Sequence, residues 1–264
     1  MNLLFIGAGK MASALVGGLL KKNVFPHDTI QACDISSAAR EQFTAKTGLP
    51  CVENPSALIG KADVLILAVK PQVAQAVVSS LPPRKDDVLI ISICAGISIT
   101  KLRQWFASGR IVRVMPNTPL MVGMGASCYA LGSESDEAGA ALTDKIFSAL
   151  GKAWRVSEDL LDAVTAISGS GPAYMFEFVE ALRLAGMKLG LPDELALELA
   201  VQTMAGSAEM LQQKIASPEE LRIAVTSPGG TTAAALEVLE QANFRGLVED
   251  LTRAACKRSA ELGK

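Results

Sequence analysis

Near its start this chain runs four apolar residues, Leu3-Leu4-Phe5-Ile6, straight into Gly7-Ala8-Gly9-Lys10-Met11-Ala12, and Ser13 to Lys21 continues as a helix-compatible stretch. Strand, glycine turn and helix in that order leave few folds open. Gly7 permits the tight turn, Gly9 lets the backbone come close to a ligand, and the free amides and positive dipole end of the helix face an anion. Ala12 replaces the third glycine of the usual pattern and still allows close helix packing. An ordinary tight turn would read the same way locally. Its position at the head of a strand-helix-strand unit favours a dinucleotide pyrophosphate, held by Ile6, Gly7, Ala8, Gly9, Lys10 and Met11.

The next strand, Thr29-Ile30-Gln31-Ala32-Cys33, ends at Asp34, roughly 20 to 25 residues beyond the glycines, where an acid usually bonds the adenosine ribose. That favours NADH. Ser36, Ser37 and Arg40 follow and would suit the 2′-phosphate of NADPH if Asp34 points aside. Asp34 also reads as the N-cap of the next helix.

Three more apolar runs, Asp63 to Val69, Val88 to Ile93 and Arg110 to Val114, alternate with helix-like stretches. Strands apolar at nearly every position are covered on both faces, as in a doubly wound parallel sheet with right-handed crossovers. After about Ser157 the rhythm changes: Ala173 to Lys188, Leu195 to Gln213 and Thr231 to Gln241 are rich in Ala, Leu, Met and Glu, with no convincing strand. The expected class is therefore α/β, an N-terminal Rossmann-like doubly wound parallel sheet (1–157) plus a C-terminal all-helical domain (158–264). Ala173 to Val179 is apolar on more than one helical face, which implies burial against a second copy: an intertwined homodimer, with higher homo-oligomers left open.

The 264 residues, 50% hydrophobic and 20% charged, are enough for one or two full cores. With 25 basic against 27 acidic residues, no strong field exists to hold nucleic acid or an anionic membrane, so a small-molecule partner is expected. Cys33, Cys51, Cys94, Cys128 and Cys256 are odd in number, far apart and without CxxC spacing. This points to reduced thiols in the cytoplasm and to no metal site. The first residues lack the basic region and cleavage site of a signal peptide. In the longest uncharged stretch, Val114 to Ser133, residues Pro116, Asn117, Pro119, Gly123 and Gly125 would break a membrane-spanning helix, which favours loop and strand.

Four further segments, Ala68-Val69-Lys70-Pro71, Ser92-Ile93-Cys94-Ala95-Gly96-Ile97, Arg113-Val114-Met115-Pro116-Asn117-Thr118-Pro119 and Ser168-Gly169-Ser170-Gly171-Pro172-Ala173-Tyr174, each resemble counterparts in the pyrroline-5-carboxylate reductases. The strongest match, Glu220 to Thr232 followed by Ala235 to Glu240, looks like that family's signature, and the resemblance runs essentially from end to end. It implies a dimerising helical domain. It also implies that Ala68, Val69, Lys70, Pro71, Cys94, Ala95 and Gly96 line the nicotinamide and phosphates, consistent with their places after the carboxyl ends of strands. Asn54 matches a family asparagine near the adenosine end. On chemistry alone, Lys70-Pro71 is equally a strand-ending turn and Asn54 a helix cap with Pro55 at the first helical position. The prolines of Met115 to Pro119 would fix a rigid loop presenting the Asn117 amide and Thr118 hydroxyl, so that Pro116 and Asn117 form a wall for the nicotinamide; an ordinary proline turn is the competing reading.

The one histidine, His27, lies in a polar loop before the second strand. A secondary-alcohol dehydrogenase usually needs a histidine or lysine base, whereas a cyclic imine can carry its own proton and accept hydride at the adjacent carbon. Ser227-Pro228-Gly229-Gly230-Thr231-Thr232 sets hydroxyls and unhindered amides just before a helix, a suitable cradle for a small carboxylate. By resemblance, Ser227, Gly229, Gly230 and Thr231 hold the carboxylate while Thr232 hydrogen-bonds the ring nitrogen and relays the proton; plain helix capping by Thr231 and Thr232 is the alternative.

The implied activity is hydride transfer from NADPH or NADH to 1-pyrroline-5-carboxylate, giving L-proline in the last step of proline biosynthesis. The family slightly favours NADPH. Asp34 argues for NADH, since it stands where NADPH-using relatives often carry a hydroxyl residue. A β-hydroxyacid dehydrogenase would need a catalytic lysine in the first long helix of the second domain, where Arg183 cannot yield its proton and Lys188 stands late. A catalytically silent NAD(P)-binding protein is the third possibility.

Overall fold

Apolar runs without alternation belong in strands covered on both sides, and the computed structural model, which describes residues 1–132 and 137–263, builds its sheet from them. In chain order the first elements are β1 (Leu3–Ile6), α1 (Lys10–Lys21), β2 (Ile30–Cys33), α2 (Ser37–Thr47), β3 (Cys51–Val52), α3 (Ser56–Ile59), β4 (Val64–Leu67) and α4 (Pro71–Ser79). They are followed by β5 (Leu89–Ser92), α5 (Ile99–Phe106), β6 (Ile111–Met115), β7 (Gly125–Leu131), α6 (Glu137–Ser148), β8 (Gly151–Arg155) and α7 (Leu161–Val164). The sheet order is β3-β2-β1-β4-β5-β6-β7-β8. The chain winds outward from β1 in both directions, so the β1/β4 boundary is the topological switch point where ligands bind in such sheets.

Both faces of β1 are sealed. Leu3 and Phe5 pack with Ala12, Leu15, Val16 and Leu19 of α1, while Leu4 and Ile6 join Leu65, Leu67, Ile90 and Leu102 on the opposite face. Each such side chain contributes about 1.5–3 kcal/mol on burial. The parallel register places Ile6 opposite both Cys33 and Leu67, and Leu67 opposite Ser92. Four strands thus end at one level, and the loops after them leave the same edge.

The expected doubly wound sheet is parallel at every pairing but one: β7 runs antiparallel to β6, with Val112 opposite Leu131, and β8 then pairs parallel to β7. The return strand occupies the uncharged stretch with its prolines and glycines, whose Ser133 lies outside the described residues. β3 has only two residues, and β8 is an edge strand with Lys152, Trp154 and Arg155 exposed, so neither carries the apolar run that marks a covered strand.

The helical part comprises α8 (Gly171–Lys188), α9 (Asp193–Gln212), α10 (Pro218–Ala224), α11 (Thr231–Gln241) and α12 (Phe244–Leu262). The compact units are Met1–Ser170 together with the segment from Ala254, and Gly171–Arg253. The division therefore falls later than the expected change at Ser157, because Leu161 of α7 is buried in the sheet's core. α12 begins in the second unit and ends in the first.

In the second unit α8 and α9 meet through small residues, Gly186 against Ala196, and Arg183 locks them by pairing with both Glu180 and Asp193. Their buried residues are only Gly171, Gly186, Ala196 and Ala200. Met175, Phe176, Phe178, Leu182, Leu195 and Leu199 are exposed within the chain. Among the described residues no helix is long and apolar enough to cross a membrane.

Before β4, the Asp63 carboxylate accepts hydrogen bonds from Lys85 Nζ (2.7 Å) and the Asn2 amide (2.8 Å), which hold its pKa below the usual carboxylate range. A lowered folded-state pKa stabilises above the unfolded value and loses that contribution as pH falls through the folded one. Asp63→Asn is expected to lower stability at pH 7 by ~1 kcal/mol or less, given the exposure of the pair. The difference from wild type should shrink in urea denaturation as pH drops below about 4.

Candidate active site

The glycine turn has the geometry its sequence implies. Gly7 adopts φ +102°, and a Cβ built on it would lie 2.6 Å from the Ala68 carbonyl oxygen, so only glycine lets β1 and β4 end this close together. Gly9 caps α1 from extended backbone with no side-chain cap, and a Cβ built there meets nothing within 4 Å. The first amides of α1 thus face open space beside exposed Gly9 and Lys10, as a pyrophosphate requires. The residues fit a dinucleotide.

Asp34 does not cap α2; Ser36 does, its Oγ accepting from the Ala39 amide. Asp34 accepts instead from the Ala8 amide (2.8 Å) through Oδ2 and from the Ser36 amide (2.9 Å) through Oδ1, tying the glycine turn to the end of β2. Arg40 donates to the Asp34 and Ile35 carbonyls and pairs with Glu53 at 3.3 Å. Asn54 accepts from the Ser56 amide and hydroxyl one residue ahead of the N-cap of the short α3, which is Pro55 and lies outside the helix, so α3 has no side-chain cap.

Lys70 is exposed and stands just before Pro71, the first residue of α4. The buried Cys94 thiol lies 3.2 Å from the Val69 carbonyl and 3.6 Å from that of Leu67, within donating distance of both. It thereby joins the two loops that follow β4 and β5. Burial pushes this thiol up to about 11, so it is a neutral donor at physiological pH. Gly96, at φ +78°, lies beneath the end of α12: a Cβ built on it would come within 3.0 Å of Leu262, Gly263 and Ser259.

The Asn117 amide, expected to be presented outward, is turned inward. Its Nδ2 donates to the Ser168 carbonyl (3.1 Å), its Oδ1 accepts from the Ala126 amide (2.9 Å), and the residue is buried. Asn117 therefore braces the loop, while Thr118 is exposed and Pro116 buried. Buried Arg113 and Ser259 and half-buried Glu158 and Asp162 form a polar network behind these loops to which sequence reasoning gave no role. The available signal was an arginine inside the apolar run Ile111-Val112-Arg113-Val114.

In the second unit, Ser227 to Thr232 forms a single turn. Gly229 takes φ +67°, the Gly230 amide donates to the Ser227 carbonyl (3.0 Å), and Gly230 is the N-cap of α11 without any side-chain cap. Thr231 and Thr232 therefore do not cap the helix. They occupy its first turn, Thr231 exposed and Thr232 half-buried, beside amides that the helix cannot satisfy. Arg183 is held in its two ion pairs, and Lys188 is the exposed last residue of α8.

The profile of the pyrroline-5-carboxylate reductase dimerisation family matches residues 158–262, and that of NADP oxidoreductase, coenzyme F420-dependent, matches residues 2–96. The chain is 42% identical to the pyrroline-5-carboxylate reductase of Pseudomonas aeruginosa over 98% of its own length and 96% of that protein. It is 39% identical to the enzyme of that name from Glycine max, over 98% and 94%. The chain belongs to the pyrroline-5-carboxylate reductase family. Its fold is also that of the Plasmodium falciparum pyrroline carboxylate reductase solved with NADP bound, at TM-score 0.91 and 35% identity over 100% of this chain and 98% of the other. Membership in this family removes the β-hydroxyacid dehydrogenase reading, which Arg183 and Lys188 already served poorly.

The two glycines separate folding from binding. Gly7→Ala should lower stability by roughly 2–3 kcal/mol in denaturant titration, since it forces a Cβ onto the Ala68 carbonyl at positive φ. Gly9→Ala meets no protein atom, so it should lower stability by about 1 kcal/mol or less. Its NADPH affinity in a fluorescence titration should nevertheless fall about tenfold, since the added methyl occupies the space of the phosphates.

Proposed function

We propose that the protein reduces the cyclic imine 1-pyrroline-5-carboxylate to L-proline with NADPH or NADH, the last step of proline biosynthesis. The end-to-end family likeness carries this reading. The bound nicotinamide supplies the hydride. The chain's own residues bind, orient and exclude water. Amides at the start of α1, with Ile6 to Met11 around them, hold the pyrophosphate; Asp34 shapes that turn through Ala8, and Asn54 stands toward the adenosine end. Ala68 to Pro71 and Cys94 to Gly96 form the remaining cofactor wall, and Asn117, bonded to the Ser168 carbonyl and the Ala126 amide, braces the Pro116 loop behind it. Ser227, the Gly229 and Gly230 amides and Thr231 hold the substrate carboxylate. Thr232 hydrogen-bonds the ring nitrogen and relays its proton.

This division of labour explains why no histidine is needed. The imine nitrogen is basic enough to be protonated, and the iminium takes hydride at the neighbouring carbon, so the protein's task is positioning and desolvation. A second copy covering the exposed apolar faces of α8 and α9 makes the working species a homodimer, and five unpaired cysteines suit the cytoplasm.

Purified protein should oxidise NADPH or NADH on addition of 1-pyrroline-5-carboxylate and not on addition of a β-hydroxyacid; no oxidation with either cofactor overturns the assignment. The ratio of the two rates reports on the Asp34 loop. Thr232→Ala should lower kcat/KM for the imine about ten- to a hundredfold while NADPH affinity stays unchanged. Full activity in that variant would remove Thr232 from its role.

A further inference from the structure

The charged cluster behind the sheet edge is placed to control the cofactor loop. Arg113 is the one ionisable residue of β6, and its side chain is only 8% exposed. It pairs with Glu158 at 3.2 Å and Asp162 at 3.5 Å. Neither acid stops there. Glu158 Oε1 also accepts from the Ile99 amide at 2.7 Å, the first amide of α5, which begins directly after the Cys94-Ala95-Gly96 loop. Asp162 Oδ1 accepts from the hydroxyl of Ser259 at 2.7 Å, within the stretch of α12 that covers Gly96. Lys101 of α5 closes the circuit by donating to the Gly263 carbonyl at 2.6 Å.

Every contact in this chain of bonds bears on the loop after β5 from one side or the other. Glu158 fixes its exit into α5. Asp162 and Lys101 hold the end of α12 against Gly96, where the built Cβ lies only 3.0 Å from three neighbours and leaves no room for the loop to slide. Arg113 neutralises both acids from beneath; the guanidinium is the buried partner, at 8% exposure, and would be the costly charge if its carboxylates were removed.

We propose that Glu158, Asp162 and Ser259, anchored on Arg113, are positioning residues for the nicotinamide cofactor: they set the height and tilt of the Cys94-Ala95-Gly96 loop without touching the ligand. The inference rests on the reading that this loop lines the cofactor. It extends the cofactor site to residues remote in sequence, from α12 and from the segment that follows β8.

The test uses the full-length enzyme, with NADPH dissociation followed by fluorescence and steady-state kinetics in both substrates. Glu158→Ala should raise the dissociation constant and KM for NADPH about five- to tenfold while kcat and KM for the imine stay within about twofold. Glu158→Gln, which keeps an acceptor for the Ile99 amide, should restore most of the affinity. A purely structural role would lower the melting temperature and the active fraction without a cofactor-selective rise in KM. Ser259→Ala removes a single neutral hydrogen bond and should weaken NADPH about two- to threefold; it carries the test if Glu158→Ala does not fold. Wild-type NADPH affinity in the folded variants overturns the proposal. Ala95→Trp, on the loop itself, distinguishes the two levels. If it too leaves NADPH affinity unchanged, the loop does not line the cofactor; if it abolishes binding while Glu158→Ala and Ser259→Ala bind normally, only the positioning role fails.

Discussion

The in-register parallel pairing of β1 with β2 and β4 is the constraint from which the rest follows. Because Ile6 stands level with Cys33 and Leu67, and Leu67 with Ser92, the glycine turn, Asp34, the Lys70 loop and the Cys94 loop all begin at one height. A slip of one residue would send the β1 side chains to the wrong faces and separate Gly7 from Ala68. The closeness of those two residues makes Gly7 obligatory, and the Asp34 bond to the Ala8 amide holds the turn once it is formed.

Much of this was legible in the residues because burial on both faces leaves a plain signature. The apolar runs marked β1, β2, β4, β5 and β6, and the helix over Thr231–Gln241 matches its expected span. The lateral strands were less visible. β7 is glycine- and proline-flanked and reverses direction, while β8 is an exposed edge; pairing, not intrinsic preference, makes them strands. The tight turn at Gly7 could be read from local sequence because its cause is local. Asn117 could not: whether its amide faces a ligand or the Ser168 carbonyl depends on a partner 51 residues away. Ser36, not Asp34, caps α2 because the helix begins at Ser37, two residues later than a cap at Asp34 requires, and the Asp34 carboxylate accepts from the Ala8 and Ser36 amides.

Arg113 illustrates how a charge in an apolar strand acquires a purpose. In isolation its burial would oppose folding, yet the Glu158 and Asp162 carboxylates turn that liability into a fixed point from which bonds reach α5 and α12. The helical unit follows the opposite principle. In α8 and α9 the buried residues are small, Gly171, Gly186, Ala196 and Ala200, and large apolar side chains such as Phe176 and Leu199 face outward within the chain.

The passage of α12 from one unit into the other also bears on the order of events during synthesis. The sheet and its glycine turn leave the ribosome first, but the residues that cover Gly96 and bond Asp162 are translated only after the whole helical unit. Domains that emerge early generally fold early. Here the loop after β5 gains its cover at Gly96 only once the last helix of the chain has been made.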